Sequence, residues 1–248
     1  MKKKIVLAMS LLTMSILTAC SSTQQQRVEL LVNNDALTVI NILKPEETMK
    51  SDVLNLLKEG IDETMTKQKG YISSNVHSSV DNNYIVNYSQ WRSMDDLAAA
   101  GALVNAGGAP KMAEAFSKSN ADYHPVKIVA QYKSDDTKKI YIDTKGETLT
   151  LINVLIPHEG TSKEALVDMM KEALGSELVT QDGYIASTIH LSMDNNYVIN
   201  YTQWKNQKSL NAFVKRMQDG GAPKMAMVFA NSSADFHPYT VASSHFSK

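Results

Sequence analysis

An asparagine followed four residues later by a tryptophan occurs twice in strand-like surroundings. Asn87 and Trp91 lie in DNNYIVNYSQW (81–91), and Asn200 and Trp204 lie in DNNYVINYTQW (194–204). Successive side chains of a strand alternate between its faces, so Ile85, Asn87, Ser89 and Trp91 share one face. An amide buried unpaired among apolar neighbours costs a few kcal/mol and therefore demands a partner. If that face borders a pocket, the Asn amide and the indole N–H can hydrogen-bond a ligand oxygen as it gains negative charge. The plainer alternative is a tryptophan that fills the core and an asparagine bonded to backbone.

Other groups could carry proton chemistry. His77 and His190 sit in the preceding strand-like segment of each phrase. A histidine titrates near neutral pH and can act as a general base. His124 and His237, each before a proline, are placed at the beginning of the last strand, where a proline-fixed extended turn accounts for them. No Gly-x-Gly-x-x-Gly follows a strand, and no His-x-x-x-His or carboxylate cluster suggests a metal. The 13 methionines read as core filler.

The elements that must position these residues are themselves duplicated. Residues 70–91 and 183–204 are identical at fourteen of 22 positions, and 107–125 and 220–238 at thirteen of 19, both at an offset of 113. Upstream, LTVINILKP (37–45) matches LTLINVLIP (149–157) at an offset of 112, which places one extra residue in the following helix. A period of one whole domain with two copies is a tandem duplication rather than a solenoid. Each copy reads strand, helix, strand, strand, helix, strand. Met49, Val53, Leu57, Ile61 and Met65 recur every four residues as a helix. In the second copy, Thr161 and Glu164 have capping-box spacing. Asp81-Asn82-Asn83 suits a hairpin tip, because Asn tolerates left-handed backbone. Ser93 can cap the second helix with Asp96, and Gly107-Gly108 reads as an interruption within it, there for flexibility or close packing. The final strands are expected at 126–132 and 239–245.

That order is ferredoxin-like, an α+β fold with an antiparallel sheet and helices on one face. The other face is too apolar to leave wet, and covering it with the second copy's sheet is the cheap solution. The expectation is two tandem ferredoxin-like (βαββαβ) domains forming an intramolecular dimeric α+β barrel. Domain 1 is 36–132, the linker 133–146 (with Ile140-Tyr141-Ile142 as a short strand), and domain 2 is 147–248.

The N-terminus reads as an address. Lys2, Lys3 and Lys4 precede an apolar stretch, Ile5 to Leu17, too short to span a bilayer comfortably. Leu17-Thr18-Ala19-Cys20 resembles the lipobox of bacterial lipoproteins, which makes 1–20 a signal peptide, Cys20 the lipidated residue and 21–35 a tether. Ser21 after the cysteine resembles lipoproteins sent to the outer membrane of a Gram-negative envelope, with the domains facing the periplasm. The single cysteine leaves no disulfide framework. The chain's net charge is −1, or −4 without the three leader lysines, so nucleic acid is an unsuited partner.

INILKP or INVLIP, then GYIS with His77 or GYIA with His190, then NYxQW together resemble the antibiotic-biosynthesis monooxygenase family across both copies. The resemblance implies dimeric α+β barrels, and members include cofactor-free quinone-forming oxygenases and haem-degrading enzymes. In the cofactor-free members an Asn and a Trp at this spacing stabilise a phenolate or enolate that passes an electron to O₂. That points to Asn87, Trp91, Asn200 and Trp204 as catalytic residues acting on a small aromatic, quinol-like compound, with O₂ and no cofactor. The haem-degrading branch carries a functional Asn on the first strand, so Asn41 and Asn153 join His77 and His190 as candidate substrate-binding residues, with haem as the alternative cofactor. The family commonly has His-Arg or His-Ser here, usually facing the partner sheet, so the resemblance favours interface histidines at His77-Ser78 and His190-Leu191, where no arginine follows. A lipid-anchored binding module without turnover is the competing class.

Overall fold

The computed structural model describes residues 27–32, 34–193 and 196–248. The leader and Cys20 lie outside the described residues. The first copy runs β1 (Leu37–Pro45), α1 (Lys50–Glu63), β2 (Tyr71–Ser79), β3 (Ile85–Trp91), α2 (Met94–Asn105), α3 (Pro110–Ser117) and β4 (Ser119–Lys133). The second runs β5 (Leu149–Pro157), α4 (Lys163–Ala173), β6 (Tyr184–Ser192), β7 (Val198–Trp204), α5 (Gln207–Gln218), α6 (Pro223–Ala230) and β8 (Ser232–Phe246). All strand pairs are antiparallel, and the eight strands close into one barrel in the order β1-β3-β2-β8-β5-β7-β6-β4.

Closure depends on the length of the last strand in each copy. β4 and β8 have 15 residues each, so one half of the strand pairs at home and the other half pairs abroad. Val126 pairs with Thr38 of its own copy and with Ser192 of the other; Tyr239, 113 residues on, pairs with Thr150 and with Ser79. Exchanging half-strands leaves neither sheet with an open edge. The expected last strands covered only the exchanged halves. His124-Pro125 and His237-Pro238 accordingly lie within long strands, next to the residues where the partner changes. A proline, lacking N–H, is tolerated there.

Three apolar clusters result. Two lie between the sheet and the helices of each copy, and the third fills the barrel with Ile40, Val86, Tyr88, Ile152, Ile199, Tyr201 and Tyr239 from both copies. Val28 and Leu30, together with Ile140 and Ile142, join this interior. Leu30 N donates to Ile140 O at 2.9 Å and Ile142 N to Val28 O at 2.9 Å. Gln131 and Gln203 side chains hold Leu30 O and Tyr141 O at 2.8 and 2.9 Å. The end of the tether is thus a packed plug. The expected 140–142 strand is only an isolated bridge, Glu29 to Tyr141.

Local details follow the sequence with three corrections. Asn82 does adopt a left-handed φ of 66° at the hairpin tip, and Ser93 caps α2 by accepting from Asp96 N at 3.1 Å. The cap of α4 is Ser162 rather than Thr161, accepting from Ala165 N at 3.0 Å. Gly107 does not interrupt a helix: it ends α2 with φ of 81°, and Pro110 then starts α3, the usual division of labour between C-terminal Gly and N-terminal Pro. The extra residue of the second copy sits in the turn before α4, not in the helix. Lys50 and Lys163, 113 apart, make the same bond at the first residue of α1 and α4, to Ser79 O and Ser192 O.

Candidate functional site

The face predicted for β3 is the face that meets the helices. Asn41 stands directly opposite Asn87 on β1, and Asn153 directly opposite Asn200 on β5. Cross-strand neighbours of this kind have Cβ atoms about 5 Å apart. The register therefore gathers two amides and one indole on the outer surface of each half-barrel, beneath α2 and α3 or α5 and α6. Strand alternation supplied Asn87 and Trp91, whereas bringing Asn41 to them required the β1–β3 register.

Both constellations line cavities. Asn41, Asn87 and Trp91 border one of about 200 Å³, and Asn153, Asn200 and Trp204 border one of about 510 Å³. The remaining walls are mostly apolar and include Phe116 in the first and Phe213 and Phe229 in the second, with Ser74 and Ser89 or Thr202, Gln218 and Ser232 among them. Both indoles are buried in the core, as in the plainer alternative, but no backbone group bonds the carbonyl oxygens of Asn87, Asn153 and Asn200. The carbonyl oxygens of Asn87, Asn153 and Asn200 are sealed from solvent without a hydrogen-bond partner, as is the indole Nε1 of Trp204. Trp91 Nε1 donates to Ser89 Oγ at 3.3 Å. Each indole is fixed by the edge of a neighbouring ring: Tyr71 to Trp91 at 5.2 Å and Tyr184 to Trp204 at 5.6 Å.

The cavities contain few titratable groups. The walls of the C-terminal cavity carry no His, Cys, Lys, Arg, Tyr or carboxylate among the described residues. The N-terminal one has only Tyr71 and Tyr123, and burial pushes the Tyr71 phenol well above its ordinary range. Such a site can offer hydrogen bonds to a ligand's charge but cannot itself accept or give a proton near neutral pH.

His77 and His190 lie on the other face of the sheet and border neither cavity. Both are wholly buried in the barrel, where His77 Nε2 meets Tyr201 OH at 2.9 Å and His190 Nε2 meets Tyr88 OH at 3.0 Å. Each pair joins one copy to the other, which is the interface role. Desolvation holds both imidazoles neutral, lowering their pKa values to about 4. His124 lies 3.1 Å from Asp122, and His237 lies between Asp81 at 2.6 Å and Asp235 at 3.0 Å.

Haem would need an axial ligand. The C-terminal cavity presents no histidine, cysteine or tyrosine, so the residues present do not suit the usual proximal ligation. No group of three or more His, Cys, Asp or Glu suited to a metal ion occurs among the described residues. A separate open cleft of about 670 Å³ runs beside Leu31, Arg92, Met94 and Lys127; none of the asparagines or tryptophans of these constellations lines it, although Arg92 directly follows Trp91.

Comparison with known proteins agrees with this architecture. Residues 36–102 match the family model described as antibiotic biosynthesis monooxygenase. Among solved structures, the chain is similar to an anthrone oxidase-like protein, with 20% identity, a TM-score of 0.74 and coverage of 90% of this chain and 97% of that one. It is also similar to a variant of chlorite dismutase from Candidatus Nitrospira defluvii, with 10% identity, a TM-score of 0.52 and coverage of 85% and 92%. At these identities the likeness shows a shared fold. No curated protein matches the chain. The class that emerges is an α+β barrel of two ferredoxin-like halves, the first of which matches the antibiotic biosynthesis monooxygenase domain.

Proposed function

We propose that the protein is a cofactor-independent oxygenase that oxidises a small aromatic, quinol-like compound with O₂. The observation that carries this reading is the pairing of an unpartnered indole N–H and unpartnered amide carbonyl oxygens with a largely apolar cavity free of protein acids and bases. An electron-rich phenol or anthrone entering it would leave water, keep its own oxyanion, and find the Trp204 indole N–H as a donor for that charge, while the amide oxygens of Asn153 and Asn200 can accept from a ligand hydroxyl. The chain's part is to bind the ring, stabilise the anion and exclude water. For an anthrone the overall change is a ring CH₂ plus O₂ giving a ring C=O plus H₂O, and the electrons come from the substrate. The solved relative described as anthrone oxidase-like guides the choice of probe.

Oxygen uptake with a dithranol-like anthrone tests the reading. Wild-type protein should consume O₂ faster than buffer, and Asn87→Ala/Asn200→Ala should lose most of that excess. Uptake at the no-protein rate for both would replace the oxygenase with a ligand-binding module. A Soret shift on adding haem would instead favour the haem-degrading branch.

The same proposal places the protein at the cell envelope. The support is the leader of residues 1–20 and the small residues before Cys20. No helix among the described residues is long and apolar enough to cross a membrane, so acyl chains on Cys20 would be the anchor. Cys20→Ala should move the protein from the outer-membrane fraction; unchanged fractionation would remove the lipid anchor from the account.

A further inference from the structure

We infer that the two cavities are not equivalent, and that ligand binds in the C-terminal one, held by Trp204, Asn200 and Asn153. The inference deepens the reading of these cavities as ligand sites and does not depend on turnover. Three observations support it.

The first is size. Ligand sites usually enclose roughly 300–1,000 Å³. The C-terminal cavity, at about 510 Å³, falls in that range, and the N-terminal one, at about 200 Å³, falls below it.

The second is the state of the indole. Trp91 has given its N–H to Ser89 Oγ, which also lies 3.4 Å from Val39 O. Position 202, the counterpart of 89, is threonine. Its β-branched side chain has fewer χ1 choices, and its hydroxyl is engaged with Ser187 Oγ at 3.0 Å. Trp204, only 1% exposed, lines the cavity and keeps a buried Nε1–H with no protein partner. One substitution thus separates a self-satisfied tryptophan from one that needs a ligand oxygen.

The third is divergence of the covering helix. Ala100, Gly101 and Val104 of α2 become Phe213, Val214 and Met217 of α5, 113 residues on. Bulkier, more apolar side chains thus line the larger of the two cavities. Phe213 lies 5.5 Å from Trp204 with its plane tilted by 30°, which continues the aromatic wall. The matching ligand is flat, aromatic and carries a carbonyl or anionic oxygen.

The chain's two tryptophans sit one in each cavity, so each indole N–H reports on one site. ¹⁵N-indole labelled protein should give two resonances, assigned with Trp91→Phe and Trp204→Phe. Titration with 1,8-dihydroxyanthraquinone, which cannot be oxidised as an anthrone is, should move the Trp204 resonance downfield and leave Trp91 in place. Equilibrium dialysis should find one probe per chain. Thr202→Ser recreates the N-terminal arrangement and should weaken binding about tenfold, roughly the worth of one captured hydrogen bond. Parallel movement of both resonances, two probes per chain, movement of Trp91 alone, or no movement of either would overturn the inference. A shift at Trp204 without O₂ uptake would keep it and end the oxygenase reading.

Discussion

Replacing Asn200 by leucine should stabilise the fold while it disables the site. Asn200 is 4% exposed, and its carbonyl oxygen has no partner. An unsatisfied buried polar group costs about 1–3 kcal/mol, and exchange for an apolar side chain of similar shape removes that cost. The side chain borders a cavity of about 510 Å³, so leucine's different shape can be absorbed without overpacking. Taking the lower end of that range, the gain is about 1 kcal/mol. For a chain of this length that corresponds to a rise in Tm of about 2–4 °C. Thermal unfolding followed by circular dichroism measures it, alongside binding of the anthraquinone probe. A Tm lowered by a degree or more, or probe binding at wild-type strength, would refute the reasoning that Asn200 is held strained for a ligand.

Three further outcomes follow. His77 and His190 have folded-state pKa values near 4, below the ordinary value of 6.5, so the unfolded chain binds more protons between these limits. Stability is therefore full above about pH 6.5 and falls as pH drops toward 4, each histidine contributing up to about 1.4 kcal/mol per pH unit. Urea melts across that window should show the slope, and His77→Phe/His190→Phe should flatten it. Leu30→Ala should cost about 2–4 kcal/mol, because Leu30 is 1% exposed within the barrel interior; a loss under 0.5 kcal/mol in urea melts would mean the plug is ornamental. In the pH dependence of kcat/KM for anthrone oxidation, the inflection should follow the phenol pKa when the substrate is changed, since no titratable side chain lines the C-terminal cavity. An inflection that stays fixed across substrates would reveal a protein base.

Much of this arrangement was legible in the chain because the repeat marks equivalent positions independently of any propensity. The two-residue period put Asn87 and Trp91 on one face, whereas the family resemblance, not alternation, pointed His77 toward the partner copy. Sequence reasoning lost the outer halves of β4 and β8. There exposed, polar residues such as Asn120 and Asp122 pair with β1 although their composition argues against a strand, a case of tertiary pairing overriding local preference. It also missed the plug, since Val28, Leu30, Ile140 and Ile142 become core only when two distant segments meet at the barrel's end. The difference between the cavities was equally hidden. Ser89 against Thr202 looks conservative until the hydroxyl's partner is known.

The most direct test of the site is a crystal soaked with 1,8-dihydroxyanthraquinone. The structure predicts the ring between α5 and the β5–β7 sheet, with one oxygen at a hydrogen-bond distance of about 2.7–3.2 Å from Trp204 Nε1. A ligand seated instead in the open cleft beside Arg92 and Lys127, with the C-terminal cavity empty, would contradict it.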